Sequence, residues 1–397
     1  MNRFALLLIP ALSVASFAVA PAGSTLAATC PADQTFAAAG TIGQATGDPA
    51  PATVGISGMA ISRYNSLSDG SQIAWVVGDR SANEIAGPDQ VFLFALDARD
   101  GSLAIRFPLD PASFQPDPSI SPTDTITNLT QTSKAIPDME DLSLRYLPGA
   151  PGELWAFDTG DNTSSRQNLN LYGIGEPDLT GAQGLAVLGT DPELDDTVTG
   201  PTLVPTRYPV QLKVGNNRVV ANVEAGFVDS GADGSPIYLI AKTPKDLDGE
   251  GKTMKDDFQV FRMTTRNAVT PATPDAMNVA TAIGFVEFDK PSLRVTAASM
   301  LDDGSQLVVR AVSGGGSTPD IDAEGIWFRD PGTDVAALFS STPQPPCRLS
   351  LNSAPNSKQE ETITYRLTPG VATGSQGFAW THDGPIAKGA QPYFTSA

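Results

Sequence analysis

Glu140, Glu224 and Glu361 occupy matching places in three similar stretches of this chain: Asp138-Met139-Glu140-Asp141-Leu142, Asn222-Val223-Glu224-Ala225 and Gln359-Glu360-Glu361-Thr362. Ser57 and Ala298 take the same place in two further stretches, Ser57-Gly58-Met59-Ala60-Ile61 and Thr296-Ala297-Ala298-Ser299-Met300. Carboxylates brought together repel, so they need a cation, a shared proton or Lys/Arg partners. Polar residues that end a following apolar run supply the partners: Asp79, Asp158, Lys242, Arg310 and His382-Asp383. Three chemistries fit. Glu140, Glu224 and Glu361 would hold Ca²⁺, a cation that takes six to eight hard oxygens. Alternatively, Lys242 and Arg310 neutralise the glutamates in a network that only stiffens the core. In the third, a metal and the two cations, with Asp158 and Asp161 beside them, hold a phosphate or carboxylate group, to which Arg forks well. Water attack on a metal-polarised phosphoryl group would then use Glu224 or His382 as base.

A second, weaker cation loop runs from Asp246 through Asp248 and Glu250 to Asp257, with Gly251 at its sixth place. The acids at its first, third, fifth and twelfth places imitate a Ca²⁺ loop, although Asp257 replaces the preferred glutamate and no helices flank it. His382 is the only histidine. That excludes a His-rich zinc site. There is no Gly-rich phosphate loop ending in Lys-Ser/Thr, no Gly-x-Ser-x-Gly elbow and no serine marked out as a partner for His382.

The elements that must position these residues are strands. With 37 Gly and 33 Pro, the chain has little room for long helices. Short apolar runs punctuated by Gly, Pro, Asp and Asn dominate, the pattern of many strands and turns. Five segments share one plan, and internal repetition of this kind points to a repeat architecture. Each has a short strand, a turn and a second strand with a polar end, such as Leu154-Trp155-Ala156-Phe157-Asp158 or Ile237-Tyr238-Leu239-Ile240-Ala241-Lys242. Sheets of this type arranged radially make an all-β propeller, which protects most edge strands. The repeat steps of roughly 60–85 residues exceed a minimal blade, so five or six blades are expected. A β-sandwich or irregular all-β solenoid is the competing architecture. Thr35–Ala39 would close the ring beside Tyr393-Phe394-Thr395.

The chain begins Met1-Asn2-Arg3, continues apolar from Phe4 to Ala20, and passes through small residues to Ala28. This is the order of a secretory signal peptide, leaving residues 29–397 as one propeller domain. An N-terminal membrane anchor is the alternative, although the run is short for a span, and no later stretch would cross a bilayer. A net charge of −19, from 25 basic and 44 acidic residues, argues against nucleic acid. Cys30 and Cys347 are the only cysteines. Export permits a disulfide between them, which would staple the seam of the ring. Leu26-Ala27-Ala28-Thr29-Cys30 also comes close to a lipoprotein acylation site, with Thr29 where a small Gly or Ala is expected.

Asp138-Met139-Glu140-Asp141-Leu142, followed by Asp158-Thr159-Gly160-Asp161-Asn162, Leu171-Tyr172 and Glu176-Pro177, resembles a family of secreted bacterial β-propeller proteins to which no firm activity attaches. That family reads as an acidic D-aromatic-E-D strand followed by a G-D-x-G-D-N loop. Arg207-Tyr208-Pro209 with Asn222–Ala225 fits its third repeat, Thr296–Ser299 with Asp303-Gly304 its fourth, and Gln359-Glu360-Glu361 its fifth. The family is distantly similar to esterase-like phytase propellers. This chain departs from it in four places: Met139 for a Trp, Ser299 for an Asp, Gly226 for a large apolar residue, and His382-Asp383-Gly384 for Ser-Glu-Gly. The resulting expectation is a secreted, monomeric binding or interaction module of the cell envelope or exterior. Its polar channel would take calcium, a small anionic ligand or an envelope protein. The alternative is a Ca²⁺-dependent hydrolase of a phosphate ester or similar anionic substrate.

Overall fold

The computed structural model describes residues 34–36, 38–41, 56–67, 70–78, 91–98, 103–114, 137–160, 169–179, 199–242, 257–288, 293–313, 322–329, 334–339, 347–351, 359–367, 376–383 and 393–395. These are strands and their connections, with two short 3₁₀ turns at Pro111–Phe114 and Val335–Phe339.

Two short strands, β1 (Gln34–Phe36) and β2 (Ala38–Thr41), come first. The first blade is β3 (Ile56–Ser66), β4 (Gln72–Gly78), β5 (Val91–Asp97) and β6 (Leu103–Leu109), an antiparallel meander in that order. The second is β7 (Met139–Arg145), β8 (Glu153–Asp158), β9 (Leu169–Gly175) and β10 (Thr206–Val214), with β11 (Asn217–Val219) folded back on β10. The third is β12 (Val223–Val228), β13 (Ile237–Ala241), β14 (Asp257–Met263) and β15 (Asn278–Glu287). The fourth is β16 (Leu293–Met300), β17 (Gln306–Ser313), β18 (Asp322–Phe328) and β19 (Cys347–Leu351). The fifth is β20 (Gln359–Leu367), β21 (Gln376–Asp383) and β22 (Tyr393–Thr395), completed by β2.

The first strands of these five units form the hub. β3 lies against β7, β7 against β12, β12 against β16, β16 against β20, and β20 against β3. That closed order among the described residues makes the molecule a β-propeller. Its apolar residues are distributed in layers between blades. Trp75 and Phe107 of the first blade pack with Met139, Leu142 and Tyr172 of the second. Trp155 and Phe157 pack with Val223, Leu239 and Phe261, and Phe227 and Tyr238 with Val309 and Trp327. Both faces of a blade therefore need apolar side chains. This is why Ile73-Ala74-Trp75-Val76-Val77 is apolar without alternation and wholly buried. Between the first two inner strands there is no room for a side chain at Gly58, where a β-carbon would lie 2.5 Å from the backbone of Asp141 and Leu142.

The outer edges, which would otherwise offer unpaired backbone to another chain, are largely paired. β10 and β15 run parallel, joining the outer margins of the second and third blades. Just before β10, the chain lies beside β6, with parallel bridges Arg106 to Thr199 and Leu109 to Leu203. The N-terminal segment serves two blades, not one as expected. β2 pairs antiparallel with β22, as the seam predicts, but β1 runs parallel to β19 on the fourth blade. Arg207-Tyr208-Pro209, matched in sequence to a third repeat, belongs to the outer strand of the second blade, where it pairs with Tyr172, Leu171 and Asn170.

Candidate functional site: the bulged ring around the channel

Each inner strand slips out of register with its second strand at the same place. The shifts fall between Ile56 and Gly58, Met139 and Asp141, Val223 and Ala225, Val295 and Ala297, and Gln359 and Thr362. The residues left over are Ser57, Glu140, Glu224, Thr296 and the pair Glu360-Glu361. A bulge frees its extra residue from the ladder and re-aims its side chain. Ser57, Glu140 and Glu224 thus keep the equivalence read from sequence, and in the fifth blade the slip spans both Glu360 and Glu361. The fourth position is Thr296 and not Ala298, because Ala298 pairs regularly with Val309. The run Thr296-Ala297-Ala298-Ser299 consists of small residues, so it carried no marker of where the slip would fall.

Around the third blade the ring becomes a polar cluster. Glu224 is 3% exposed. Its Oε1 is in salt-bridge contact with Lys242 Nζ and accepts from Asn222 Nδ2 at 3.1 Å. Burial raises the Glu224 carboxyl above its ordinary range; Lys242 and Asn222 pull it down, and the negative charge of Asp138 pushes it further up. Lys242 is held by both its backbone groups. Its amide donates to the Asn222 carbonyl at 2.9 Å and its carbonyl accepts from Val295 of the next blade at 2.9 Å. The second blade contributes two more carboxylates. A β-carbon at Gly160 would run into both Glu140 and Asp138, so these groups meet over that glycine. Asp158 secures the approach, its Oδ1 accepting from the Asp138 amide at 3.0 Å and its Oδ2 from Asn170 at 3.3 Å. Thr159 donates to the Val223 carbonyl at 2.7 Å, locking the second blade to the third.

Deeper along the axis lies the residue that sequence reasoning passed over. Asp141 is 1% exposed. Its Oδ1 accepts from its neighbour Leu142 at 2.8 Å. Its Oδ2 accepts from Gly226 of the third blade at 2.9 Å and from Ala298 of the fourth at 3.2 Å. Burial raises its carboxyl well above the ordinary range, against the pull of the three amides. The signal was an Asp inside an otherwise apolar inner strand, one step beyond the bulged Glu140. Below it, Arg63 and Asp302 form an ion pair across the axis, beside a small cavity lined also by Ser143, Ser299, Thr364 and Tyr365. Glu176, which sequence tied only to a family motif, is a second buried anchor between the first two blades. It accepts from Trp75 at 2.9 Å, Asn65 at 3.0 Å and the Gly152 amide at 2.7 Å.

The other expected residues are placed as follows. Arg310 is wholly buried on β17, opposite Ala297 on one side and Glu324 on the other. Along the backbone, Glu360 and Glu361 together stand opposite His382, where the ladder slips between the pairs Gln359–Asp383 and Thr362–Thr381. Asp257 opens β14 opposite Glu287, while Asp246, Asp248 and Glu250 lie outside the described residues, as do Asp79 and Asp161. Cys347 opens β19, and Cys30 and the segment 1–28 lie outside the described residues. Among the described residues, no group of three or more His, Cys, Asp or Glu is arranged to hold a metal ion, and no helix is long and apolar enough to cross a membrane.

No protein-family model matches the chain, and no curated protein matches it. Solved structures similar to it include an alpha-L-arabinofuranosidase from Lactobacillus brevis, at 8% identity over 86% of this chain and 90% of that one, with a TM-score of 0.42. A Cellvibrio cellulosa alpha-L-arabinanase complexed with arabinohexaose is similar at 9% identity over 86% and 90%, with a TM-score of 0.41. The C-terminal WD40 domain of Sif2 is similar at 8% identity over 86% and 69%, with a TM-score of 0.25. The closed order of the inner strands defines the class as β-propeller without help from these likenesses.

Proposed function

We propose that this chain is an exported binding module that takes a positively charged group at the mouth of its channel, on Glu140 and Asp138. The observation that carries this reading is the engagement of Glu224 by Lys242 and Asn222. A glutamate tied in that way is neutralised as a structural group, while Asp138 and Glu140 bring two further carboxylates together over Gly160. An anionic ligand, expected from sequence, fits this local charge less well. Calcium is the metal such oxygens would take.

The alternative, Ca²⁺-dependent hydrolysis of a phosphate ester, needs Glu224 or His382 as base. The contacts of Glu224 weigh against it in that role. The charged, apolar, small-residue order of residues 1–28 supports export, which would allow a Cys30–Cys347 disulfide.

A ligand that binds only the native state must raise its stability. Added Ca²⁺ should raise the melting temperature and EDTA should lower it, with Glu140→Gln abolishing the difference. Melting that ignores both reagents removes calcium as the occupant. Turnover of chromogenic phosphate or carboxylate esters that is lost in Glu224→Gln would replace the binding module by the hydrolase. Intact mass with and without reductant tests the disulfide; an added diacylglycerol mass would overturn it in favour of acylated Cys30.

A further inference from the structure

Asn222 and Lys242 face one another at the ends of the first and second strands of the third blade, one step beyond the Val223–Ala241 pair. The Lys242 amide donates to the Asn222 carbonyl at 2.9 Å. Side chains so opposed start about 4.5–5.5 Å apart at their β-carbons and share one face of the sheet. Both reach the same atom. Glu224 Oε1 touches Lys242 Nζ and accepts from Asn222 Nδ2 at 3.1 Å. Asn222 is 8% exposed and Glu224 3%. One buried carboxylate oxygen therefore contacts an amine and the nitrogen of a carboxamide on the opposed strand.

We propose that Lys242 and Asn222 close an intramolecular amide bond, with Glu224 moving the protons. Glu224 takes a proton from the Lys242 ammonium, leaving a neutral amine, which is the nucleophilic form. Nζ attacks Asn222 Cγ. Glu224, holding that proton within reach of Nδ2, delivers it to the departing nitrogen as the Cγ–Nδ2 bond breaks, and the ammonia released takes up the second proton that Nζ sheds on becoming an amide nitrogen, so a single group serves both nucleophile and leaving group. The new bond is Cγ–Nζ. The products are one secondary amide and one ammonium ion, and no oxidant or co-reactant is consumed. Two features favour the step. Burial favours the neutral members of an acid–amine pair, and it raises the Glu224 carboxyl. The folded sheet also holds the reactants together, which replaces the entropy cost of a bimolecular encounter. The closed bond would tie the first strand of the blade to the second and remove the Lys242 charge from the channel mouth, a consequence separate from whether any ligand binds there.

Denaturing mass spectrometry of the reduced full chain decides the question. The wild type is expected to be lighter than its sequence by one ammonia, and a protease digest is expected to yield Asn222 and Lys242 in one branched peptide. Lys242→Arg keeps the ion pair with Glu224 but lacks the nucleophile, so it should fold and show its full sequence mass. Glu224→Gln should also retain its ammonia. A wild type of full sequence mass, with Asn222 and Lys242 in separate peptides, overturns the proposal. So does loss of ammonia without a branched peptide, which would mark a cyclised side chain in its place. Neither result bears on the melting experiments with Ca²⁺.

Discussion

The Asp141 carboxylate accepts a hydrogen bond at 3.2 Å from the amide of Ala298, two blades away across the axis of the propeller. The same oxygen accepts from Gly226 of the intervening blade. One side chain thus joins three inner strands that no ladder connects. A buried carboxylate is costly by itself, and here three amides offset part of that cost while gaining the acceptor they need.

Asp141→Ala should therefore be among the most damaging single changes in this protein. It leaves the Gly226 and Ala298 amides buried without this acceptor, at about 1–3 kcal/mol each. In guanidinium unfolding the midpoint should fall with the slope unchanged. A midpoint equal to wild type would show that the axis holds together without this residue.

The pH dependence follows from four acids whose carboxyls burial raises, Asp141, Glu224, Asp229 and Asp302. A group that binds its proton more tightly when folded adds stability below its unfolded value, and that addition is lost as pH rises through the folded value. The melting temperature at fixed ionic strength should thus decline as pH climbs from the ordinary carboxylate range toward neutrality. The net charge of −19 pushes the same way, so the comparison to make is with Asp141→Asn, whose profile should be flatter. Superimposable profiles would remove Asp141 from the account.

Close approach of the inner strands predicts a contrast between two glycines. Gly58→Ala puts a methyl 2.5 Å from the β7 backbone, and overpacking of this kind costs about 1–3 kcal/mol. Gly175→Ala, with nothing within 4 Å of the new methyl, should stay within about 0.5 kcal/mol. Equal unfolding midpoints for the two variants would contradict the tight contact between the first and second blades.

Between the third and fourth blades, Arg329 donates to Asp229 at 2.6 Å, with side-chain exposures of 7% and 0%. Arg329→Met should cost about 3–5 kcal/mol, because Asp229 is left buried without its counter-charge. Adding Asp229→Leu should recover part of that loss. If the double variant is no more stable than the single one, the two residues are not coupled.

Much of this architecture was legible in the chain. The five repeated strand pairs, the apolar runs and the seam between the two termini all came through. Strand period and turn chemistry are local, and a blade buried on both faces announces itself by runs such as Ile73–Val77. The glutamates of the ring were legible for the same reason, since a charge breaking an apolar strand stands out. Thr296 was not, because a bulge depends on how two strands pair, and small residues offer no contrast to mark it. Asp141 was visible as a residue and not as a role.

The composition, order and spacing of the residues by themselves determined an all-β propeller with acids at the starts of its inner strands. Only the tertiary structure decided what those acids do. It placed Lys242 against Glu224, brought Asp138 and Glu140 together over Gly160, and sent the Asp141 carboxylate across the axis to Ala298. The physical reason is distance along the chain. These partners come from different strands or different blades, and a carboxylate's protonation and partners depend on the burial and donors that closure of the ring brings to it.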